Sequence, residues 1–205
     1  SANSHFSKKA INETGITEDN FVDMAVATHD EKSDDTDFLE NTKDQSRDKT
    51  ASASKTYHSV HGQILKPKVS DTEPTQIEIF QDIGDNLTLK GYVDLVTADD
   101  VVVDTKVRKA DKGIDVETNL QQTYATILGS SKVGIASVTT AKEPKATYYG
   151  GISNETTKKR AMQRIKSVSS AIDSNIFLPA AEGSWICSEK YCGYWNMCDF
   201  GAKRK

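Results

Sequence analysis

Residues 91–106 read GYVDLVTADDVVVDTK and carry two aspartates, Asp94 and Asp104, ten positions apart. Three consecutive valines precede Asp104, and such a β-branched run is typical of a buried strand. The intervening Ala-Asp-Asp at 98–100 indicates a tight turn. We therefore predict two adjacent antiparallel strands, each with an acid near its end. On the second strand Asp104 and Lys106 share a face, because side chains alternate along a strand.

Paired carboxylates of this kind favour a cation. Two close negative charges repel each other unless a metal ion neutralises them, and hard oxygen ligands suit Mg²⁺ or Mn²⁺. A lysine beside the pair can orient or deprotonate a water molecule that the metal has acidified. The alternative interpretation is that both aspartates are solubility residues flanking a turn and that Lys106 is a charge at a strand edge. Asp-x-Lys alone occurs by chance in many proteins.

The sequence on either side predicts a mixed α/β domain. Residues 76–80 alternate polar and apolar as a half-buried strand does, and residues 83–86 read as a hairpin turn, so the centre is a three-stranded meander. A helix is predicted over 118–128, then strands at 133–138 and 147–149, then a long helix over 155–173.

The two predicted helices carry apolar stripes that should face the sheet. In the first, which ends at Gly129, the stripe is Leu120, Tyr124, Ile127 and Leu128. In the second, the stripe is Ala161, Ile165, Val168 and Ile172, and the basic residues are expected to face outward: Lys158, Lys159, Arg160, Arg164 and Lys166.

The first 70 residues read as helical and polar. A helix is predicted to start at 17–19, residues 30–54 are predicted to be a surface loop or weak helices, and a second helical stripe over 57–65 ends before Pro67. Four further polar residues are interpreted as lying at the surface, the last of them on the solvent face of an edge strand: His29, His58, His61 and Glu78.

Composition excludes several classes of protein. The 205 residues are 36% hydrophobic and 27% charged with four Pro and twelve Gly, which excludes collagen-like, low-complexity and wholly disordered chains. No apolar run reaches the roughly 18 residues of a membrane span, and the N-terminus lacks a signal-peptide layout. We therefore expect a soluble, cytoplasmic protein without a membrane partner.

Charge is unevenly distributed along the chain. The net charge of −4 gives no overall basic signature of a DNA-binding protein. Residues 12–49 hold twelve acidic and four basic residues, whereas residues 155–170 hold one acidic and five basic residues. A local basic helix of this kind can still hold phosphates.

Three cysteines, Cys187, Cys192 and Cys198, lie within the last nineteen residues. An odd number in one tight group favours metal chemistry over a disulfide framework, and thiolates suit Zn²⁺ or an iron–sulfur cluster. The alternative is three reduced cysteines that pack as small hydrophobic residues among the neighbouring tryptophans and tyrosines.

Taken together, Gly-Tyr-Val-Asp (91–94), Val-Asp-Thr-Lys (103–106), a helical Gln-Gln-Thr-Tyr (121–124) and the tail from Trp185 to Cys198 resemble the RecB-type branch of the PD-(D/E)XK nuclease superfamily. The resemblance implies an α/β fold with a mixed central sheet flanked by helices. It also implies metal-dependent cleavage of DNA phosphodiesters, usually exonucleolytic, in recombination, repair or replication of a bacterium or phage. DNA and recombination or single-strand-binding proteins would be the partners. The alternatives are an endonuclease of the same fold and a catalytically silent DNA-binding module with a metal-binding cysteine tail.

The resemblance also implies roles for individual residues. Asp94 and Asp104 would bind the metal, the backbone carbonyl of Thr105 would be a further ligand, and Lys106 would be the catalytic lysine. His5 would be a metal ligand on the first helix, unless it is only a frayed terminal residue. The acid before the lysine is often Glu in the family, and here it is Asp104.

Two motifs depart from the family pattern. Gln121 and Tyr124 would position DNA, but the family spacing is Gln-x-x-x-Tyr and Tyr124 can equally be a core residue. Related nucleases hold a [4Fe–4S] cluster with three C-terminal cysteines and one upstream. Here the first gap is four residues where two is common, and the sequence holds no fourth cysteine.

On this basis we predict a single nuclease-like domain over 1–205. Its parts would be a helical N-terminal segment (1–70), a catalytic sheet core (75–150), and a C-terminal helix with the cysteine-containing tail (155–205).

Overall fold

The computed structural model describes residues 16–34, 41–68, 75–111, 113, 115–116, 118–176, 180 and 184–198. The chain divides into two compact units, Ser1–Met162 and Gln163–Lys205. The described residues form four helices and five strands, an α/β architecture as predicted.

The first unit begins with two helices, α1 (Glu18–Ser33) and α2 (Lys43–Ile64). Thr17 caps α1, where its hydroxyl accepts the Asn20 N–H at 3.3 Å, so the predicted helix start is confirmed. A capping box begins α2: the Thr42 hydroxyl accepts the Gln45 N–H at 3.2 Å, and the Gln45 side chain accepts the Thr42 N–H at 3.1 Å. Of the two alternatives predicted for residues 30–54, the helical one is therefore confirmed over 30–33 and 43–54.

A five-stranded sheet follows in the order β1-β2-β3-β4-β5. Neighbouring strands are antiparallel except β3 and β4, which are parallel. The strands are β1 (Thr75–Asp82), β2 (Thr88–Val96), β3 (Val101–Arg108), β4 (Lys132–Thr139) and β5 (Ala146–Ile152).

Short turns produce the meander that the sequence predicts. Gly84, Asp85 and Asn86 all have positive φ in the first turn, and Asp100 does in the second, conformations that Gly, Asn and Asp tolerate best. A parallel pair cannot be joined by a hairpin. The helix α3 (Asn119–Leu128) accordingly lies in the connection between β3 and β4.

Helices cover the two faces of the sheet. Val102 and Val103 are consecutive in β3 and so point to opposite faces. Val103 packs with Leu65 at the end of α2, whereas Val102 packs in the cluster that Tyr124 and Ile127 of α3 join. The sheet thus lies between α2 and α3.

The buried face of α3 differs from the predicted one. Thr118 and left-handed Gly129 cap the helix, and Tyr124 and Ile127 pack on the sheet. Leu120, however, is 47% exposed, and Leu128 is also exposed. The residues that α3 buries most completely are small or carry amides: Gln121, Gln122, Thr123 and Ala125.

The last helix, α4, spans Glu155–Asp173, the predicted range, and it continues from the first unit into the second. Its predicted inward stripe is only partly correct. Ala161 is fully buried and Ile165 half-buried, but Val168 is 53% exposed and Ile172 is similarly exposed. The basic residues Lys159, Arg160 and Arg164 are exposed, as expected, but Lys158 and Lys166 are only half-exposed, against the prediction.

Residues 184–198 of the second unit form a succession of turns. Backbone hydrogen bonds run from Cys187 N to Ser184 O at 3.0 Å, from Cys192 N to Ser188 O at 2.8 Å and from Cys198 N to Tyr194 O at 2.9 Å. In the part of the chain that the structure describes, none of the helices has the length and apolar character needed to cross a bilayer.

Candidate active site

Asp94 and Asp104 lie where β2 and β3 separate. The ladder between these strands pairs Leu95 with Val103 and Val96 with Val102, and continuing that register would place Asp94 opposite Asp104. Instead, Asp94 Oδ2 accepts the Thr105 N–H at 2.8 Å. A side chain thus takes the place of a ladder hydrogen bond, and Asp94 lies near enough to Asp104 for its negative charge to raise the pKa of that carboxyl.

Lys106 contacts Asp104 on the same strand. Its Nζ donates to Asp104 Oδ1 at 3.0 Å. Oδ2 is buried and lies 2.8 Å from the same nitrogen, so both carboxylate oxygens face the ammonium group. The Asp104 side chain is 14% exposed and that of Lys106 43% exposed. The carboxylate therefore sits inside the site, and the ammonium group faces its opening.

The charge state of Asp104 reflects these surroundings. Burial raises the pKa of this carboxyl most, and the negative charge of Asp94 raises it further. The hydrogen bond and charge of Lys106 oppose that rise in pKa without cancelling it. The charge of Lys106 therefore does not fully offset the effect of burial on the pKa of Asp104, and a cation bound nearby would favour the ionised carboxylate.

Tyr124 joins the motif on α3 to the strands. A Cβ atom at Gly91 would lie 2.8 Å from the Tyr124 hydroxyl, so the glycine of Gly-Tyr-Val-Asp leaves room for this ring. Burial raises the pKa of Tyr124, and the charges of Asp104 and Asp94 add to the rise. Tyr124 is thus both a packed residue and a neighbour of the two acids.

Gln121 is 1% exposed, and its Oε1 has no hydrogen-bond partner within the described ranges. Gln122 beside it donates from Nε2 to the Ile152 carbonyl at 3.0 Å, which ties α3 to β5. The DNA-positioning roles of Gln121 and Tyr124 stay predictions.

Gln76, which no sequence motif points to, also contacts the site. Its Nε2 donates to Asp94 Oδ1 at 3.1 Å from β1. The strand register alone could have placed Gln76 opposite Asp94. Glu78, two residues further on, contacts Lys90 and the Tyr92 hydroxyl, both at 3.3 Å, and is 53% exposed. That position agrees with the solvent-facing interpretation.

The surface interpretation of His58 and His61 was wrong. His58 is buried and donates from Nε2 to the Ile16 carbonyl at 3.1 Å. His61 is fully buried, donates from Nε2 to the Ser137 carbonyl at 3.0 Å and packs edge-on against Tyr57. In each case the Nε2 atom is hydrogen-bonded to a backbone carbonyl while the rest of the ring packs against other side chains, so both histidines are core residues.

The surface interpretation of His29 was wrong as well. It is on α1, with its side chain 12% exposed, 3.1 Å from Ser46 Oγ and 3.3 Å from Asp30 Oδ1. This contact connects α1 to α2. His5 lies outside the described residues, and its role stays a prediction.

The cysteines Cys187, Cys192 and Cys198 are free thiols of intermediate burial. Across the described ranges, no group of three or more His, Cys, Asp or Glu side chains is arranged to hold a metal ion. A cluster or zinc ion at the tail stays a prediction.

A cavity of about 660 Å³ lies on the α2 side of the sheet. Thr105 lines it, whereas Asp104 and Lys106, as strand neighbours of Thr105, point to the other face. The candidate site is therefore separate from this cavity, whose walls include Phe21, Ser46, Lys49, Tyr57, Thr105 and Thr140.

Comparisons with known proteins identify the family of the chain. The sequence profile of the PD-(D/E)XK nuclease superfamily matches residues 4–199. Among solved structures, a protein from Eubacterium rectale provisionally named an exonuclease aligns with a TM-score of 0.54 at 10% identity, over 85% of this chain and 75% of that chain. The protein SSO0001 aligns over 95% of this chain and 94% of that chain at 14% identity, with a TM-score of 0.43. No curated protein matches the sequence. With a profile match over nearly its whole length and the mixed sheet expected of the fold, the chain belongs to the PD-(D/E)XK nuclease superfamily.

Proposed function

We propose that this nuclease is a DNA exonuclease of the RecB type that depends on Mg²⁺ or Mn²⁺. The observation that carries the proposal is the meeting of Asp94, Asp104 and Lys106 at the point where β2 and β3 separate. Membership of a nuclease superfamily supports hydrolysis of a phosphodiester. The DNA substrate and the attack on ends rest on the resemblance to RecB-type nucleases.

The residues at this point fit a hard divalent cation. Asp104 offers a largely buried carboxylate beside Lys106, and Asp94 is already oriented by the Thr105 N–H. Carboxylate oxygens are the ligands that Mg²⁺ and Mn²⁺ prefer. The Thr105 carbonyl and His5 are proposed as further ligands. When bound, the ion would polarise the phosphodiester and lower the pKa of a water molecule.

Lys106 is proposed to act on the reacting groups directly. Its ammonium group is held by Asp104 yet remains 43% exposed, so it can reach a phosphate oxygen or the attacking water at the mouth of the site. Two hydrogen-bonding side chains of α3, Gln121 and Tyr124, are proposed to position the DNA strand beside it.

The test is cleavage of linear and closed circular DNA with Mg²⁺ or Mn²⁺, beside EDTA. We expect linear DNA to be degraded and closed circles to survive, with no cleavage in EDTA. Asp104→Asn should abolish cleavage while DNA binding persists, and Asp99→Asn, an exposed acid in the neighbouring turn, is the matched control.

Any other result of this cleavage test would contradict a particular part of the proposal. Cleavage of closed circles would make the protein an endonuclease of the same fold, and DNA binding without cleavage would make it a silent binding module. Wild-type cleavage by Asp104→Asn would remove the assignment of the site itself.

Recombination or single-strand-binding proteins are proposed as partners and the cytoplasm as the location, both from the same resemblance. A cluster or Zn²⁺ at Cys187, Cys192 and Cys198 is proposed only as a structural element of the tail.

A further inference from the structure

Gln76 has an unusual backbone. Its φ is +52°, in the left-handed region that is costly for residues with a side chain other than Asn or Asp. Of the described non-glycine residues with positive φ, the other four are Asp or Asn, which tolerate that conformation: Asp85, Asn86, Asp100 and Asn175. Gln76 instead lies within a strand, β1. Strained backbone that persists in a fold is a reason to look for function.

The strain coincides with an irregularity across the strand pair. The β1–β2 ladder pairs Thr75 with Leu95 and Ile77 with Val93, so Gln76 lies opposite Asp94. Val93 packs in the cluster with Val102, whereas Leu95 packs in the cluster with Val103. These clusters lie on opposite faces, so the alternation of β2 is interrupted at Asp94. Both strands depart from regular geometry at the same level.

At that level the Gln76 amide reaches the acid. Its Nε2 donates to Asp94 Oδ1 at 3.1 Å, while the Thr105 N–H donates to Oδ2 at 2.8 Å. Each oxygen of Asp94 is thereby held from a different neighbouring strand. A carboxylate fixed at both oxygens keeps one orientation, and its remaining lone pairs stay available to a cation.

We propose that Gln76 is a positioning residue for Asp94, and that the left-handed backbone is retained because it aims the amide at the carboxylate. This inference rests on the proposed function, in which Asp94 is a metal ligand. Hydrogen-bond partners of metal ligands orient them, and their removal typically lowers metal affinity or activity by about 10- to 100-fold.

Gln76→Asn separates this role from a merely structural one. Asn tolerates positive φ but is one methylene shorter, so the backbone is accommodated and the hydrogen bond to Asp94 is lost. We expect the melting temperature without metal to stay the same or rise, while Mn²⁺ affinity measured by electron paramagnetic resonance falls roughly 10- to 100-fold. The single-turnover cleavage rate should fall at limiting Mn²⁺ and recover at saturating Mn²⁺.

Gln81→Asn is the matched control, because Gln81 is an exposed glutamine of the same strand whose amide donates to the Asp82 carbonyl. It should leave Mn²⁺ affinity unchanged. Gln76→Ala removes the amide altogether and should lower Mn²⁺ affinity at least as much as Gln76→Asn.

Two failures are distinguishable. If Asp104→Asn is inactive but Gln76→Asn and Gln76→Ala bind Mn²⁺ as tightly as the wild type, the positioning role is wrong and the nuclease assignment stands. If the wild type binds no Mn²⁺, or Asp104→Asn cleaves normally, the proposed function fails and the role of Gln76 fails with it.

Discussion

Lys106 and Asp104 occupy unequal positions in the same ion pair. The carboxylate is nearly enclosed and the ammonium group is accessible, so removing the lysine should disturb the reacting groups more than the metal ligands. Lys106→Ala should lower the single-turnover rate by about 10²- to 10⁴-fold, the usual contribution of a positioned acid–base or orienting group. Metal affinity, measured in parallel by Mn²⁺ resonance, should change little.

Lys90→Ala provides the control for that experiment, since Lys90 lies on the adjacent strand and pairs with Glu78 at the surface. An unchanged rate for Lys106→Ala at saturating metal would remove the proposed role of Lys106.

Gly91 and Tyr124 form a contact that stability measurements can test. A methyl group at Gly91 would lie 2.8 Å from the Tyr124 hydroxyl and 3.1 Å from its Cε1. Gly91→Ala should therefore lower the free energy of unfolding by about 1–3 kcal/mol, the usual cost of overpacking. Tyr124→Phe removes the closest atom, so Gly91→Ala should cost less in that background. Urea denaturation of the four proteins of the cycle measures this coupling.

Gly113→Ala is the control, because none of the residues that the structure describes lies within 4 Å of a Cβ at that position. Additive effects of Gly91→Ala and Tyr124→Phe would contradict the predicted contact.

His61 should make stability depend on pH in a defined range. Burial lowers its pKa below the ordinary value of 6.5, against a weaker opposing effect of its bond to the Ser137 carbonyl. The unfolded chain therefore takes up the proton at a higher pH than the folded chain does. The contribution of His61 is complete above pH 6.5 and is lost as pH falls below it, by at most about 1.4 kcal/mol per pH unit.

Comparison with His61→Gln, which keeps a side-chain donor, isolates this effect. The difference in unfolding free energy between the two proteins should be constant from pH 8 to 7 and should shrink as pH falls from 6.5 to 5. Parallel pH profiles over the whole range would show that His61 is not the titrating group.

The helices differ in how well the sequence predicted them. The β meander was readable because alternation and short turns are local signals, whereas α2 shows an apolar stripe only over 57–65 and none over 43–56. It buries Ala53, His58 and His61, and packing against α1 and β4 decides which face is buried. The capping box at Thr42 was the local signal that could have located its start.

The residues of the candidate site could likewise be chosen from the sequence only where the signal is local. Asp94, Asp104 and Lys106 belong to contiguous motifs, and strand alternation brings the last two together. Gln76 could not be found in this way, because its place depends on the register of β1 against β2 and on a left-handed backbone that Gln rarely adopts. The exposure of Val168 and Ile172 was equally unpredictable, since periodicity reports an apolar face but not what covers it.

The exposed cations of α4 should hold the DNA backbone. An acidic protein must concentrate its phosphate contacts, and Arg160 and Arg164 are exposed neighbours at a spacing of four. Arg160→Ala with Arg164→Ala should weaken DNA binding similarly for all sequences. It should also flatten the slope of log K against log salt by about 0.9 for each lost contact.

The matched control is Lys142→Ala with Lys145→Ala, which removes the same charge from an exposed loop. If the double arginine variant and the double lysine variant have the same DNA affinity and the same salt slope, α4 makes no specific contact with DNA.

Over the whole molecule, the prediction of a single domain over 1–205 stays a prediction, and the family match over residues 4–199 defines what the chain shares with other nucleases. If the site formed by Asp94 and the largely buried Asp104 binds a cation as proposed, that cation should stabilise the folded protein. A ligand that binds only the folded state adds about 2.7 kcal/mol to the unfolding free energy when its concentration is a hundred times its dissociation constant.

We therefore expect Mn²⁺ to raise the midpoint of urea unfolding and EDTA to reverse that rise. The control variant Asp99→Asn should show the same rise as the wild type. In Asp104→Asn, Mn²⁺ should no longer raise the unfolding midpoint. In EDTA the variant should be at least as stable as the wild type, because the substitution removes a charge that burial disfavours. An equal Mn²⁺-dependent gain in Asp104→Asn and the wild type would place the stabilising cation away from the β2–β3 junction, since Asp104 would then contribute nothing to holding it.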